Sequence, residues 1–173
     1  YFAIKKAGKF DTGLLEKIKI YITSGKIDEA INLCQSNSNP ASRMLEKGIS
    51  RIGRPLTDVN AAIENVGNLE ISKLEKGLPV LASVAGGAPM IGFLGTVMGM
   101  IQAFYDMANA GNNIDVTLLS SGIYQAMVTT VAGLIVGIIA YFAYNILVAN
   151  VEKVVFKMEA TTSEFMDLLN EPA

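Results

Sequence analysis

Apolar residues follow two different rhythms along this chain. Up to residue 76 they recur at helical spacing among charged residues, and beyond it they fill two long windows. In the first part Leu14, Leu15, Ile18, Tyr21 and Ile22 fall on one helical face. Asp11 or Thr12 is placed to cap that helix, and Gly25 to end it. Asp28 is placed to cap a short helix carrying Ile31, Leu33 and Cys34, with a loop over 36–39. Asn39-Pro40 reads as the N-cap and first residue of a helix through Met44, Leu45 and Ile49, which Gly53, Arg54 and Pro55 break. A fourth helix opens at Thr57 with Asp58 in its first turn. Gly67 and Gly77 weaken it and Pro79 is placed to kink it, but nothing stops it before the apolar window. One helix of about 50 residues, about 75 Å at 1.5 Å per residue, is therefore expected.

No charged residue occurs from Gly77 to Tyr105, or from Val116 to Val151. Each window exceeds the roughly 20 apolar residues that cross a bilayer as a helix. The alternative, two buried helices of a soluble domain, fits poorly, because such helices rarely run so long without charge. The pattern predicts an all-α integral membrane protein: long transmembrane helices extending into the cytoplasm, plus a small cytoplasmic helical part. The organisation expected is a cytoplasmic helical region over 5–76, transmembrane helices over 77–106 and 116–151, a loop over 107–115, and a cytoplasmic extension over 152–173. In that extension Val154, Val155, Met158, Phe165, Met166 and Leu169 keep an amphipathic pattern. Residues 1–4 before Lys5 and Lys6 read as the tail of an earlier transmembrane helix.

Charge sets the orientation. Of the 14 Lys and Arg, all lie outside both windows, whereas Asp106 and Asp115 bound a loop without bases. The basic side, with the N-terminal region and the C-terminus, is expected in the cytoplasm, and the loop outside it. Lys5, Lys6 and Lys9 are placed to meet anionic lipid headgroups, with Arg43, Arg51 and Arg54 a solvated face. Nearly balanced acids there make nucleic acid a poor partner. Hydrophobic residues make up 51% of the chain and the mean hydropathy is +0.38, which fits a membrane subunit rather than a soluble enzyme. The single cysteine, Cys34, allows no internal disulfide and reads as a small apolar residue; with no histidine, a histidine-ligated metal is excluded. No nucleophile–base set, phosphate loop or metal cluster is present, so no enzyme and no cofactor are expected.

Inside the windows small residues recur. Gly95 and Gly99 form a GxxxG pair with Gly92 one turn earlier, and Gly133 and Gly137 repeat the device. Lipid gives no hydrophobic push between helices, so small residues serve close backbone approach. One hairpin offers few helices to pack on, and a homo-oligomer is expected. Among the polar residues, Thr96 and Thr130 lie deepest, while Gln125 and Thr129 are four apart on one helical face. The threonines either bond their own i−4 carbonyls or line a narrow wet path. A hydroxyl donates and accepts but stores no proton, so any titrating group must come from a second polypeptide.

These residues resemble a family. Ala88-Pro89-Met90-Ile91-Gly92-Phe93-Leu94-Gly95-Thr96-Val97-Met98-Gly99-Met100 looks like the signature of the ExbB/TolQ/MotA proton-channel subunits, A-P-x-x-G-x-x-G-T-V-x-G followed by Met or Ile. Gly122-Ile123-Tyr124-Gln125-Ala126-Met127-Val128-Thr129-Thr130-Val131-Ala132-Gly133-Leu134 is similar to the second signature, and Ala143-Tyr144-Asn145 to the closing motif of the ExbB and TolQ branch. The resemblance covers residues 14–160, weakly in the polar part. It implies a ring of five such subunits in the bacterial inner membrane. The ring would surround a dimer of single-span ExbD-like partners that carry a membrane aspartate. It further implies that the proton motive force drives a TonB-like transducer. It assigns Thr96 and Thr130, with Gln125, to the proton path, and Pro89 to the head of the motif. Gln125 stands where ExbB and TolQ members commonly carry Glu, which keeps hydrogen bonding and loses charge. The short tail favours the ExbB or TolQ branch over the MotA branch. A non-conducting scaffold and a TolQ-like or MotA-like stator subunit stay as alternatives; a solute transporter lacks the expected intramembrane charges. Protons are favoured over sodium because two threonines offer few oxygen ligands.

Overall fold

The computed structural model describes residues 4, 7–8, 13–37, 39–109 and 116–170, all of them in helices or the turns between helices. Among the described residues, six helices from residue 14 onward run in order: α1 Leu14–Thr23, α2 Ile27–Ser36, α3 Pro40–Ile49, α4 Leu56–Glu75, α5 Leu78–Asn109 and α6 Val116–Asn170. They belong to two compact units, one formed by residues 1–76 with 148–173 and the other by 77–147. The all-α class follows directly. The caps assigned to Asp11 or Thr12 lie outside the described residues, as do residues 1–3 and most of the loop, 110–115.

The first unit is a bundle built on an apolar core. Ile18, Cys34, Leu45, Ile49, Val59, Ile63, Met158 and Phe165 are fully buried within it. Gly48 permits the close packing at its centre, since a Cβ there would lie 2.7 Å from Ile63 Cδ1 and 2.8 Å from Phe165 Cε1. Local chemistry starts and stops the helices. Asn39 caps α3, its Oδ1 accepting from Ser42 N at 2.7 Å, with Pro40 as first residue. Gly25 follows the Ser24 cap of α1 with φ of +73°, and Gly53 lies in the turn after α3 with φ of +92°, conformations glycine adopts without steric cost. Asp28 lies in the first turn of α2 rather than at its cap, which is Lys26. There its charge faces the unpaired amides of the helix start.

One buried ion cluster ties α3 to α4. Glu70 is 4% exposed and accepts from Arg43 Nη2 and, at 2.7 Å, from Lys73 Nζ. Burial pushes its carboxyl up, but the hydrogen bonds and charges of Arg43 and Lys73 outweigh burial and hold it below the usual carboxylate range. Arg43 therefore does more than stand on a solvated face: its side chain, 41% exposed, pairs with Glu70. Cys34 is 1% exposed; burial first, and then the charge of Glu46, pushes its thiol up to about 12.

The expected 50-residue helix is interrupted. Helix α4 ends at Glu75 and α5 begins at Leu78, with Gly77 between them at φ +93°. A left-handed residue cannot continue a right-handed helix. Pro79 then falls at the second position of α5, where its missing N–H costs no hydrogen bond. Helix α5 also runs past Asp106 to Asn109, so the loop begins later than residue 107. Helix α6 continues unbroken for 55 residues. Val151, Val154, Met158 and Phe165 are buried in the bundle, which takes up the chain from Val148.

The second unit is an antiparallel helical hairpin, formed by α5 and residues 116–147 of α6. Both helices are long and apolar enough to cross a membrane. Their outer faces carry exposed large apolar side chains, among them Met90 at 74%, Ile91 at 72% and Phe142 at 62%. In water such a surface would be unstable; in lipid it is the ordinary exterior.

Candidate functional site

The hairpin closes on a stripe of small residues. A Cβ on Gly99 would meet Ala126 Cβ at 2.8 Å, one on Gly122 would meet Ala103 Cβ at 2.7 Å, and one on Gly133 would meet Ala88 O at 2.5 Å. Gly92 lies opposite the Thr129–Gly133 turn, and Gly137 opposite the Pro89 ring. All six motif positions expected to serve packing, Pro89, Gly92, Gly95, Gly99, Gly133 and Gly137, thus meet within one chain. A Cβ on Gly86 or Gly87, by contrast, would meet nothing within 4 Å.

Threonines interrupt this stripe midway along α5. The Thr96 and Thr130 hydroxyls touch across the two helices. Thr96 Oγ1 also lies 3.1 Å from Ala126 O and 3.4 Å from Gly92 O. Thr130 Oγ1 lies 3.2 Å from Gly92 O. Thr129 Oγ1 reaches Ala126 O at 2.7 Å and Gly92 O at 3.3 Å. Bonding only to their own i−4 carbonyls is thereby overturned: the cluster joins hydroxyls and carbonyls of both helices.

Close approach is what permits this. Gly92 and Gly95 present no side chain, so the Thr129 side chain fills the place of a Gly95 Cβ, 2.5 Å from its Oγ1. Two open grooves flank the cluster. Thr130 lines one of about 610 Å³ with Pro89, Phe93, Val97 and Leu134. Thr129 lines the other, about 550 Å³, with Gly92, Gly95, Met98 and Gly133.

Of the residues expected to line an ion path, the fold brings Thr96 and Thr130 together and leaves Gln125 aside. Gln125 is exposed and makes no hydrogen bond to the described residues. Thr129 instead joins the contact between the two helices through Gly92 O and Ala126 O. The readable signal was the stripe itself: Gly122, Ala126, Gly133 and Gly137 recur at spacings that put residues 129 and 130 at the contact and 125 on its flank.

The site contains three hydroxyl oxygens and two carbonyl oxygens and no ionisable group. It can order water, pass a hydrogen bond along, or solvate a cation, but it cannot hold a proton. No group of three or more His, Cys, Asp or Glu able to hold a metal occurs among the described residues.

A membrane hairpin with a part-buried hydroxyl cluster along its helix contact has the build of a subunit of an ion-conducting membrane protein. Residues 36–160 match the model of the MotA/TolQ/ExbB proton channel family, and the chain belongs to that family. It is 31% identical over 131 residues to an ExbB homolog of Methanothermobacter thermautotrophicus, covering 76% of this chain and 46% of that protein. It is 35% identical over 106 residues to the Tol-Pal system protein TolQ of Haemophilus influenzae, covering 61% and 46%. To the biopolymer transport protein ExbB of Aquifex aeolicus it is 36% identical over 92 residues, covering 53% and 62%. The chain spans about half the length of these relatives.

Proposed function

We propose that this chain is the channel subunit of a bacterial inner-membrane complex that uses the proton motive force to energise TonB-dependent outer-membrane transport. In this reading it is not an enzyme. Five copies surround a dimer of single-span ExbD-like partners, with the polar bundle and the C-terminus in the cytoplasm. The observation that carries the reading is the contact of the Thr96 and Thr130 hydroxyls within helix stretches, 78–105 and 116–147, that hold no Asp, Glu, Lys, Arg or His. A scaffold gains nothing from three hydroxyls set along a helix contact in the lipid-spanning region, because polar groups in lipid are costly. The partner supplies the acid that takes up and releases the proton, and the hydroxyls order the hydrogen bonds through which it exchanges.

The mechanism divides the work. The small-residue stripe sets the distance between α5 and α6 at which the hydroxyls meet. The exposed apolar faces provide the surface on which further copies and the partner pack. A second reading, sodium conduction, draws on the five oxygens gathered at the cluster, since hard cations take oxygen ligands.

The test is ion flux into liposomes holding this protein with its single-span partner, under imposed pH and sodium gradients. Proton flux that needs both proteins and vanishes in the Thr96→Val, Thr130→Val double variant is expected. Undiminished flux in that variant, with the complex assembled, would overturn the channel reading. Flux that follows the sodium gradient alone would replace the proton.

A further inference from the structure

Three hydroxyls compete for few acceptors. Gly92 O and Ala126 O each lie four residues before a threonine, Thr96 and Thr130, whose backbone amides continue the helices. Each carbonyl therefore has one lone pair left for a hydroxyl. The shortest carbonyl contacts give one arrangement that closes: Thr129 donates to Ala126 O at 2.7 Å, Thr130 donates to Gly92 O at 3.2 Å, and Thr96 donates to Thr130 Oγ1. Every hydroxyl hydrogen then has an acceptor inside the hairpin.

Thr130 lines its groove, so a carboxylate or water there can draw its hydrogen outward, leaving Gly92 O uncovered. Two donors remain, and both reach both carbonyls: Thr96 at 3.1 and 3.4 Å, Thr129 at 2.7 and 3.3 Å. With Thr129 present, one hydroxyl covers each carbonyl while Thr130 faces out. Without it, Thr96 alone must serve both.

We propose that Thr129 is a positioning residue for the Thr96–Thr130 pair, covering the Gly92 and Ala126 carbonyls so that the Thr130 hydroxyl is released into its groove. Thr129 is held for this from the opposite face of the hairpin, in the space left by Gly95. It acts through Thr130 and touches no ion itself. The inference rests on the proposed ion path.

The experiment uses the assembled complex in liposomes and two variants of opposite character. Thr129→Val keeps the shape in the Gly95 space and removes the donor, whereas Thr129→Ser keeps the donor and removes the methyl. Proton flux should fall about fivefold in Thr129→Val, the factor that one neutral hydrogen bond is worth, with an altered pH profile. Thr129→Ser should restore most of the flux and the wild-type profile. If Thr129→Val conducts like wild type, or if Thr129→Ser is the damaged variant, Thr129 is a packing residue and the inference fails. The Thr96→Val, Thr130→Val variant separates the two levels: if it is silent, the ion path stands whatever Thr129 does, and if it conducts, the path itself is wrong. Where Thr129→Val fails to assemble, the pH profile of Thr129→Ser decides, and a shifted profile overturns the proposal.

Discussion

The Pro89 ring fills the space that a side chain on Gly137 would need: a Cβ there would lie 2.5 Å from Pro89 Cγ and 2.7 Å from its Cδ. The ring is rigid and the contact lies between two helix backbones, so neither side can give way. Gly137→Ala should therefore cost about 1–3 kcal/mol of hairpin stability through overpacking. Gly86 is the control, since a Cβ there meets nothing within 4 Å in this chain. Thermal melts of both variants in detergent are the measurement. Damage from Gly86→Ala with a silent Gly137→Ala would mean the glycines serve contacts between chains.

Glu70 should make the bundle sensitive to acid. Its folded carboxyl sits below the ordinary value, so its contribution is present above the unfolded value of about 4.3 and is lost as pH falls through the folded one. Glu70→Gln keeps the shape and removes the charge. At pH 7 it should cost about 2 kcal/mol, below the usual figure for a broken buried pair, because the Arg43 and Lys73 side chains are 41% and 69% exposed. The gap between wild type and variant should close from pH 5 towards pH 3. A gap that stays constant over that range in melting experiments would refute the assignment.

Cys34 should be chemically silent. With its thiol pushed up to about 12, almost none is thiolate near neutral pH, and the side chain is buried. Iodoacetamide at pH 7.5 should leave it unmodified in the folded protein and alkylate it fully in denaturant, as read by mass spectrometry. Rapid alkylation of the folded protein is the result that contradicts this.

Phe165 tests whether the end of α6 is structural. It is fully buried and lies against Gly48 in the bundle core. Phe165→Ala should destabilise the bundle by about 3–5 kcal/mol. A change under 1 kcal/mol, measured by denaturant titration, would show that this segment is not held in the core.

The membrane class, the two apolar windows and the family were legible in the chain itself. Absence of charge over 77–105 and 116–151 is a property of composition, and a bilayer reads composition directly. The Asn39-Pro40 start and the Gly25 stop were equally local, because capping is settled by a residue's own backbone and near neighbours. Tertiary structure decided the rest. Gly77 breaks a helix that periodicity would carry through, since a single φ is invisible in an apolar pattern. Val151 and Val154 are as apolar as lipid-facing residues, and only the tertiary structure shows that they are buried in the bundle. Arg43 and Glu70 lie 27 residues apart, beyond any local rule that would pair them. At the site, motif and depth singled out Thr96 and Thr130, but the partnership of Thr129 and the outward place of Gln125 depend on how two helices rotate against each other. That rotation follows from where glycines let the backbones touch, which the chain determines only once both helices are folded.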